Sequence, residues 1–193
     1  ALKKTFDTAA ELLKIEAKRN LKPIEEFKIP RKDYSEFVDK FSFTETIDQI
    51  KTIKNIEIDL MSSKPMDRIV CGEVGFGKTE VAMRASFITA FNNQQVCLLV
   101  PTTVLAQQHY ESFKERFIST AINIKKISRD ISQSQKIKTL KELKEGKIDI
   151  IIGTHSLLQK NIEFKNLGLL IIDEEHRFGV RQKEKIKTLK ENL

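Results

Sequence analysis

The sequence predicts an α/β domain: a mostly parallel sheet with helices on both faces, preceded by an N-terminal helix and a connector. Three observations carry this. Short apolar runs alternate with stretches whose apolar residues recur every three or four positions. A glycine-rich loop from Gly72 to Thr79 joins the first apolar run to the first amphipathic stretch. The polar or small residues that close later runs, Thr102, Gly153-Thr154 and Asp173-Glu174, gather where strands end. In open parallel sheets ligands bind at those carboxyl ends.

Each element has its own signal. Phe6, Ala10, Leu13 and Ala17 recur at helical spacing, which predicts a helix over 3–20. Pro23, Pro30 and many charges make 22–40 a connector, so 1–40 reads as an N-terminal helix with its linker and 41–193 as the principal domain. Thr46 with Gln49 is a capping box, and Ile47, Ile50, Ile58 and Met61 fit one face of the helix it opens. Ile69-Val70-Cys71 fits a buried strand. A helix over 79–91 follows, with Val81, Ala85 and Ile88 on one face. A strand over 96–100 is closed by Pro101; Thr102 and Thr103 can cap the next helix, whose inner face would be Ala106, Tyr110, Phe113 and Phe117. A weaker strand near 122–127 precedes a second capping box, Ser132 with Gln135, and Gly146 suits the end of that helix. Strands over 148–152 and 167–172 come next, then a basic helix over 181–193 with Ile186, Leu189 and Leu193 on one side.

Chemistry concentrates in two places. Gly72, four residues (Glu73, Val74, Gly75, Phe76), then Gly77, Lys78 and Thr79 match the G-x-x-x-x-G-K-[ST] phosphate loop. Glycines let successive backbone N–H groups face an anion, and the helix behind aims its positive end at it. Lys78 can reach β- and γ-phosphates, and the Thr79 hydroxyl can ligate magnesium, so ATP and Mg2+ are the expected ligands. The second place is Asp173-Glu174, after an apolar strand: one carboxylate for magnesium, the next to orient or deprotonate water. A plain glycine turn and a solvated acidic turn are the bland alternatives, and the pairing of both signals in one α/β pattern weighs against them.

Composition narrows the classes further. Lys and Arg exceed Asp and Glu by 34 to 27, a formal charge of +7, which suits a polyanion partner. No apolar run is long enough for a membrane helix and no signal peptide is visible, so a cytoplasmic location is expected. Cys71 and Cys97 sit in apolar strand patterns and read as small buried hydrophobes. His109, His155 and His176 lack metal-ligand spacing, which argues against zinc.

Asp173-Glu-Glu-His176 is a DExH box. With the phosphate loop it resembles the first motor domain of superfamily 2 helicases, a RecA-like phosphate-loop NTPase fold. Residues 67–84, 100–109, 146–155 and 169–181 look closer still to the bacterial transcription-repair coupling factor family. The likeness covers 41–193 closely, and 1–30 resemble more loosely the helix joining that family's polymerase-binding domain to its motor. RecG, a branch-migrating relative, shares the general scheme but has a small residue where Phe76 stands. Ser42 replaces a proline usual in the segment before Gln49.

The resemblance implies an ATP-driven translocase on double-stranded DNA that pushes stalled RNA polymerase off lesions and recruits excision repair through UvrA. By motif match, Lys78 and Thr79 bind phosphate and magnesium, Asp173 the magnesium, and Glu174 the water. Gln49 would read adenine and Phe43 would pack near it; from residues alone the helix cap suffices for Gln49. Thr102, Thr103, Gln107, Thr154 and His155 would touch DNA, and His176 and Arg177 would couple the two sites. The chain stops before the family's Thr-Ala-Thr-Pro segment and second motor domain with its arginine fingers, so it reads as a piece of a motor, expected to turn over little ATP alone. Polymerase and UvrA contacts would lie in other parts of the parent. Two alternatives stay open: a RecG-like fork-remodelling helicase, and a module that binds DNA or polymerase without turnover.

Overall fold

A computed structural model of the chain describes residues 17, 26–72, 75–129, 131–159 and 161–190. The predicted helix over 3–20 lies outside them except for Ala17, which is helical and exposed. Four strands form one sheet: β1 (Gln95–Leu99), β2 (Ile124–Ile127), β3 (Ile150–Gly153) and β4 (Leu167–Ile172), in the order β2-β3-β1-β4. Every pair is parallel, with Leu99 level with Gly153 on one side and with Ile172 on the other. Around them lie α1 (Arg31–Asp39), α2 (Ile47–Leu60), α3 (Lys78–Phe91), α4 (Thr103–Arg116), α5 (Gln133–Lys144) and α6 (Val180–Lys190).

Strand residues alternate between two cores, as a sheet covered on both faces requires. Val96, Leu98, Ile150 and Ile152 pack with residues of α1 to α4. Cys97, Leu99 and Ile151 pack on the other face with Leu143 of α5, Leu157, Phe178 and Ile186 of α6. One buried amide ties the strand starts together. Gln95 Nε2 donates to the carbonyls of Leu143 and Ile148, both at 2.9 Å, while its Oε1 accepts from the N–H groups of Lys165 and Asn166.

Both predicted capping boxes are formed, Thr46 with Gln49 and Ser132 with Gln135, and Gly146 takes a positive φ of 76° beyond α5. Three expectations need correction. Ile69–Cys71 forms no strand: Ile69 is 86% exposed, Cys71 is exposed, and only Val70 leans on the core. A three-residue run has few ladder bonds to offer, so it pairs only where a neighbouring strand presents itself, and sequence cannot show that. Cys71 is therefore not the buried hydrophobe expected, whereas Cys97 is fully buried. Helix α2 buries Ile53, Ile56 and Leu60 instead of the face carrying Ile47, Ile50, Ile58 and Met61, all of which are exposed. Isoleucines surround this helix, and packing on α3 chose among them.

The connector holds a helix that its prolines and charges concealed. Pro30 stands at the N-cap of α1, where a missing N–H costs nothing. Phe37 of α1 is buried, stacked on Phe87 with ring centroids 4.5 Å apart and tilted on Phe117 at 4.9 Å. Next to it lies a buried ionic cluster. Glu80 accepts two hydrogen bonds from Arg116, at 3.0 and 2.8 Å, and one from Arg84 Nε at 2.9 Å. Arg84 also donates to Glu45, and the Arg116 guanidinium lies 3.9 Å from the centre of the Phe37 ring. Burial alone would weaken the charge on Arg84, but the bonds to Glu80 and Glu45 more than offset it and raise its pKa.

Candidate functional site

The glycine-rich loop has the backbone its sequence implies. Gly75 and Gly77 have φ of 87° and 67°, values that residues with a Cβ rarely adopt. Gly77 is the N-cap of α3 and supplies no side-chain cap, so the first amides of that helix are not capped from within it. The helix N-terminus is thus arranged to receive an anion. Lys78 Nζ donates to the Gly72 carbonyl at 2.6 Å, folded back over the loop. Glu73 and Val74 lie outside the described residues.

Gln49 serves the cap and the loop at once. Its Oε1 accepts from Thr46 N at 2.8 Å, and its Nε2 donates to the Phe76 carbonyl at 2.6 Å. A Cβ at position 77 would displace that amide nitrogen from its place against the loop. Beside this contact opens a cleft of about 860 Å³, lined among others by Phe43, Gln49, Phe76, Thr79, Glu80 and Arg116. That is the size of a small-ligand pocket. Phe43 is 75% exposed at its rim, its ring 5.6 Å from that of Phe41.

The paired carboxylates sit at the end of β4. Asp173 N donates to the Leu99 carbonyl at 2.9 Å, extending the β1–β4 ladder by one bond. Glu174 then turns the chain with φ 51° and ψ 47°, a left-handed conformation uncommon for a residue with a side chain. The turn gives the two carboxylates different partners. Asp173 Oδ2 lies 2.8 Å from His109 Nε2 of α4, while Glu174 pairs with Arg177 at 3.0 Å. The His109 bond, opposed by burial and aided by the nearby Lys78 charge, holds the Asp173 carboxyl below the usual carboxylate range. It is therefore ionised at neutral pH. Among the described residues no group of three or more His, Cys, Asp or Glu could hold a metal. The candidate donors instead are the ionised Asp173 carboxylate, close enough to the phosphate loop to feel the Lys78 charge, and the hydroxyl of Thr79 in the first turn of α3. That fits magnesium, which takes one or two carboxylates and completes its shell with water and phosphate oxygens.

Thr102, Thr103 and Gln107 stand at the start of α4. Thr102 caps the helix by accepting from Leu105 N at 3.2 Å. Gln107 donates to Glu111 and accepts from Lys126 Nζ, each at 2.6 Å. His155 follows β3 with Arg129 Nη2 at 3.2 Å from its Nε2. Burial first, then the charges of Arg129 and Lys185, lowers the pKa of His155. Thr154 is buried, its hydroxyl 3.3 Å from that of Ser156. His176 and Arg177 are exposed on a short 3-10 turn, Glu175–Arg177.

Sequence reasoning missed His109, set aside there as lacking zinc spacing, and Arg116, which borders the cleft. A signal existed for His109: it falls between Ala106 and Phe113 at helical steps, on the face that must point inward.

Comparison with known proteins fits this geometry. Residues 46–193 match the model of the DEAD/DEAH box helicase family. The chain is 53% identical over its whole length to the transcription-repair-coupling factor of Escherichia coli strain K12, and 52% to that of Haemophilus influenzae. It spans 17% of the length of each. A solved structure of RecG bound to a three-way DNA junction superposes with a TM-score of 0.79 at 39% identity, covering 86% of this chain and 23% of that one. The UvsW helicase of bacteriophage T4 shares the fold, with a TM-score of 0.61 at 20% identity over 87% of this chain and 58% of that one. With a phosphate loop, a DExH carboxylate pair and a parallel sheet joining them, the chain belongs to the DEAD/DEAH box helicase family and has a helicase-type motor fold.

Proposed function

We propose that this domain is the ATP-binding half of a double-stranded-DNA translocase that displaces stalled RNA polymerase and couples transcription to nucleotide excision repair. The observation that carries this reading is the identity of half its residues, end to end, with transcription-repair-coupling factors. Loop amides and the Lys78 ammonium bind the triphosphate. The Thr79 hydroxyl and the Asp173 carboxylate would hold magnesium, which would neutralise charge on the phosphate oxygens. Glu174 orients the attacking water and takes its proton. Phe43 and Gln49 hold the adenine in the cleft beside the loop, Gln49 through the amide valences its two protein bonds leave over. Thr102, Thr103, Gln107 and His155 meet DNA phosphates, with Thr154 contributing backbone instead of its buried hydroxyl. The Arg177–Glu174 pair ties the exposed turn to the water-side carboxylate and so supports a coupling role for His176 and Arg177. Contacts to RNA polymerase and UvrA belong to other parts of the parent protein.

In the full-length protein, Lys78→Ala should abolish ATPase and polymerase displacement, a loss of about 10²-fold or more for a preorganised charge. Turnover at the wild-type rate would refute the assignment. DNA binding should fall steeply with salt and ignore sequence, because the contacts are to phosphates. A second reading, fork remodelling, draws on the likeness to RecG. The two separate when one preparation is given a stalled elongation complex and a three-way junction. Release of polymerase without junction processing supports the first, and the reverse supports the second.

A further inference from the structure

We infer that His109 is a positioning residue for the Asp173 carboxylate, orienting it for magnesium from a helix that also carries the candidate DNA contacts. The inference rests on the reading of Asp173 as the magnesium-side carboxylate. His109 Nε2 lies 2.8 Å from Asp173 Oδ2, and its side chain is 13% exposed against 32% for Asp173. An ionised carboxylate only accepts hydrogen bonds, so Nε2 carries the proton. The carboxylate also accepts from the Glu174 backbone N–H, and its remaining lone pairs are left for a metal or its water.

His109 is itself held. Its ring meets Phe113 edge-on with centroids 6.4 Å apart, and Phe113 is fully buried against the sheet. The main chain that carries this side chain is fixed by the Asp173 N–H bond to the Leu99 carbonyl. With its main chain in the sheet ladder and one oxygen on His109, the carboxylate is restrained to few orientations. That restraint separates a preset metal ligand from one that must be ordered when the metal arrives. Thr102, Thr103 and Gln107 stand within two turns of His109 on α4. Movement at the start of α4 on binding a polynucleotide would reach the carboxylate through this one imidazole.

The test measures binding, independent of turnover. In the full-length protein, a fluorescent ADP is titrated with magnesium chloride, and the magnesium concentration at half-saturation is read. Removing such an orienting partner typically weakens metal binding about 10–100-fold. His109→Phe, which keeps the ring but no N–H, should raise half-saturation about tenfold or more. His109→Gln, whose amide nitrogen stands near the Nε2 position, should stay within about threefold of wild type by the same measure. The double variant of His109→Phe with Asp173→Asn should be no worse than Asp173→Asn alone, because both remove one interaction. If the Phe variant does not fold, His109→Asn, too short to reach Asp173, takes its place against Gln. Unchanged half-saturation in the Phe or Asn variant, equal losses in the Gln variant, or additive losses in the double variant would each overturn the inference while leaving the site intact. An Asp173→Asn protein with unchanged magnesium dependence would overturn the site reading and the inference with it.

Discussion

Asp173 and Glu174 are neighbours with unlike surroundings, and their substitutions should separate. Asp173 is held below the usual carboxylate range by His109 and stands near Lys78, whereas Glu174 faces Arg177 across a turn. In the full-length protein, Glu174→Gln should keep nucleotide affinity within about twofold and lower hydrolysis by about 10²-fold or more, since an amide cannot take a proton. Asp173→Asn should weaken magnesium-dependent binding itself. Equilibrium binding beside steady-state turnover checks both, and equal loss of binding in the two would show that the roles are not divided. The cysteines make a second residue-scale contrast. Cys97 is buried and burial pushes its thiol far up, while Cys71 is exposed beside Gly72. A maleimide at neutral pH should therefore label Cys71 at least about tenfold faster than Cys97, and Mg-nucleotide should slow that labelling. Peptide mapping by mass spectrometry reads both. Candidate residues could be picked out where a motif fixes spacing, as at Lys78, Thr79 and Asp173. The contact of His109 was illegible, because its partner lies 64 positions away and only the fold brings them together.

Elements were legible where a local signal sufficed. Both capping boxes, the glycine beyond α5 and the alternation of strands with helices can be read from short windows, because backbone groups at helix ends need nearby partners. What escaped was decided across the fold. The inner face of α2 depends on α3, and the helix inside the connector depends on Phe37 finding Phe87 and Phe117. If α1 is part of the core, Phe37→Ala should cost about 3 kcal/mol or more of unfolding free energy, the usual loss for a buried aromatic. A urea midpoint shifted by less than the equivalent of 1 kcal/mol would mark α1 as a tether lying against the surface. Glu80, one residue beyond Thr79, is bound to Arg116 in the same cluster, so the connector side is joined to the phosphate loop by charge as well as by packing.

At the scale of the whole molecule, the sheet presents its phosphate loop, carboxylates and candidate DNA contacts at one end. On the translocase reading proposed above, arginines of a second domain stabilise the transferring phosphoryl group, a contribution of about 10³–10⁵ in related NTPases. The 193-residue chain by itself should bind Mg-nucleotide through loop amides and Lys78 yet release phosphate at a negligible rate, with or without DNA. Phosphate release measured against a Lys78→Ala control decides this, and DNA-stimulated turnover absent from the control would show the second domain to be dispensable. The left-handed backbone at Glu174 acts on the molecule in another way. A side chain there costs about 1 kcal/mol that glycine would not incur, partly offset by the extra freedom glycine has when unfolded. Glu174→Gly should thus melt no lower than wild type in a thermal scan while losing hydrolysis. Selection for heat resistance and selection for activity would then pull this position in opposite directions. A library of variants ranked by melting temperature alone would accumulate well-folded, inert motors.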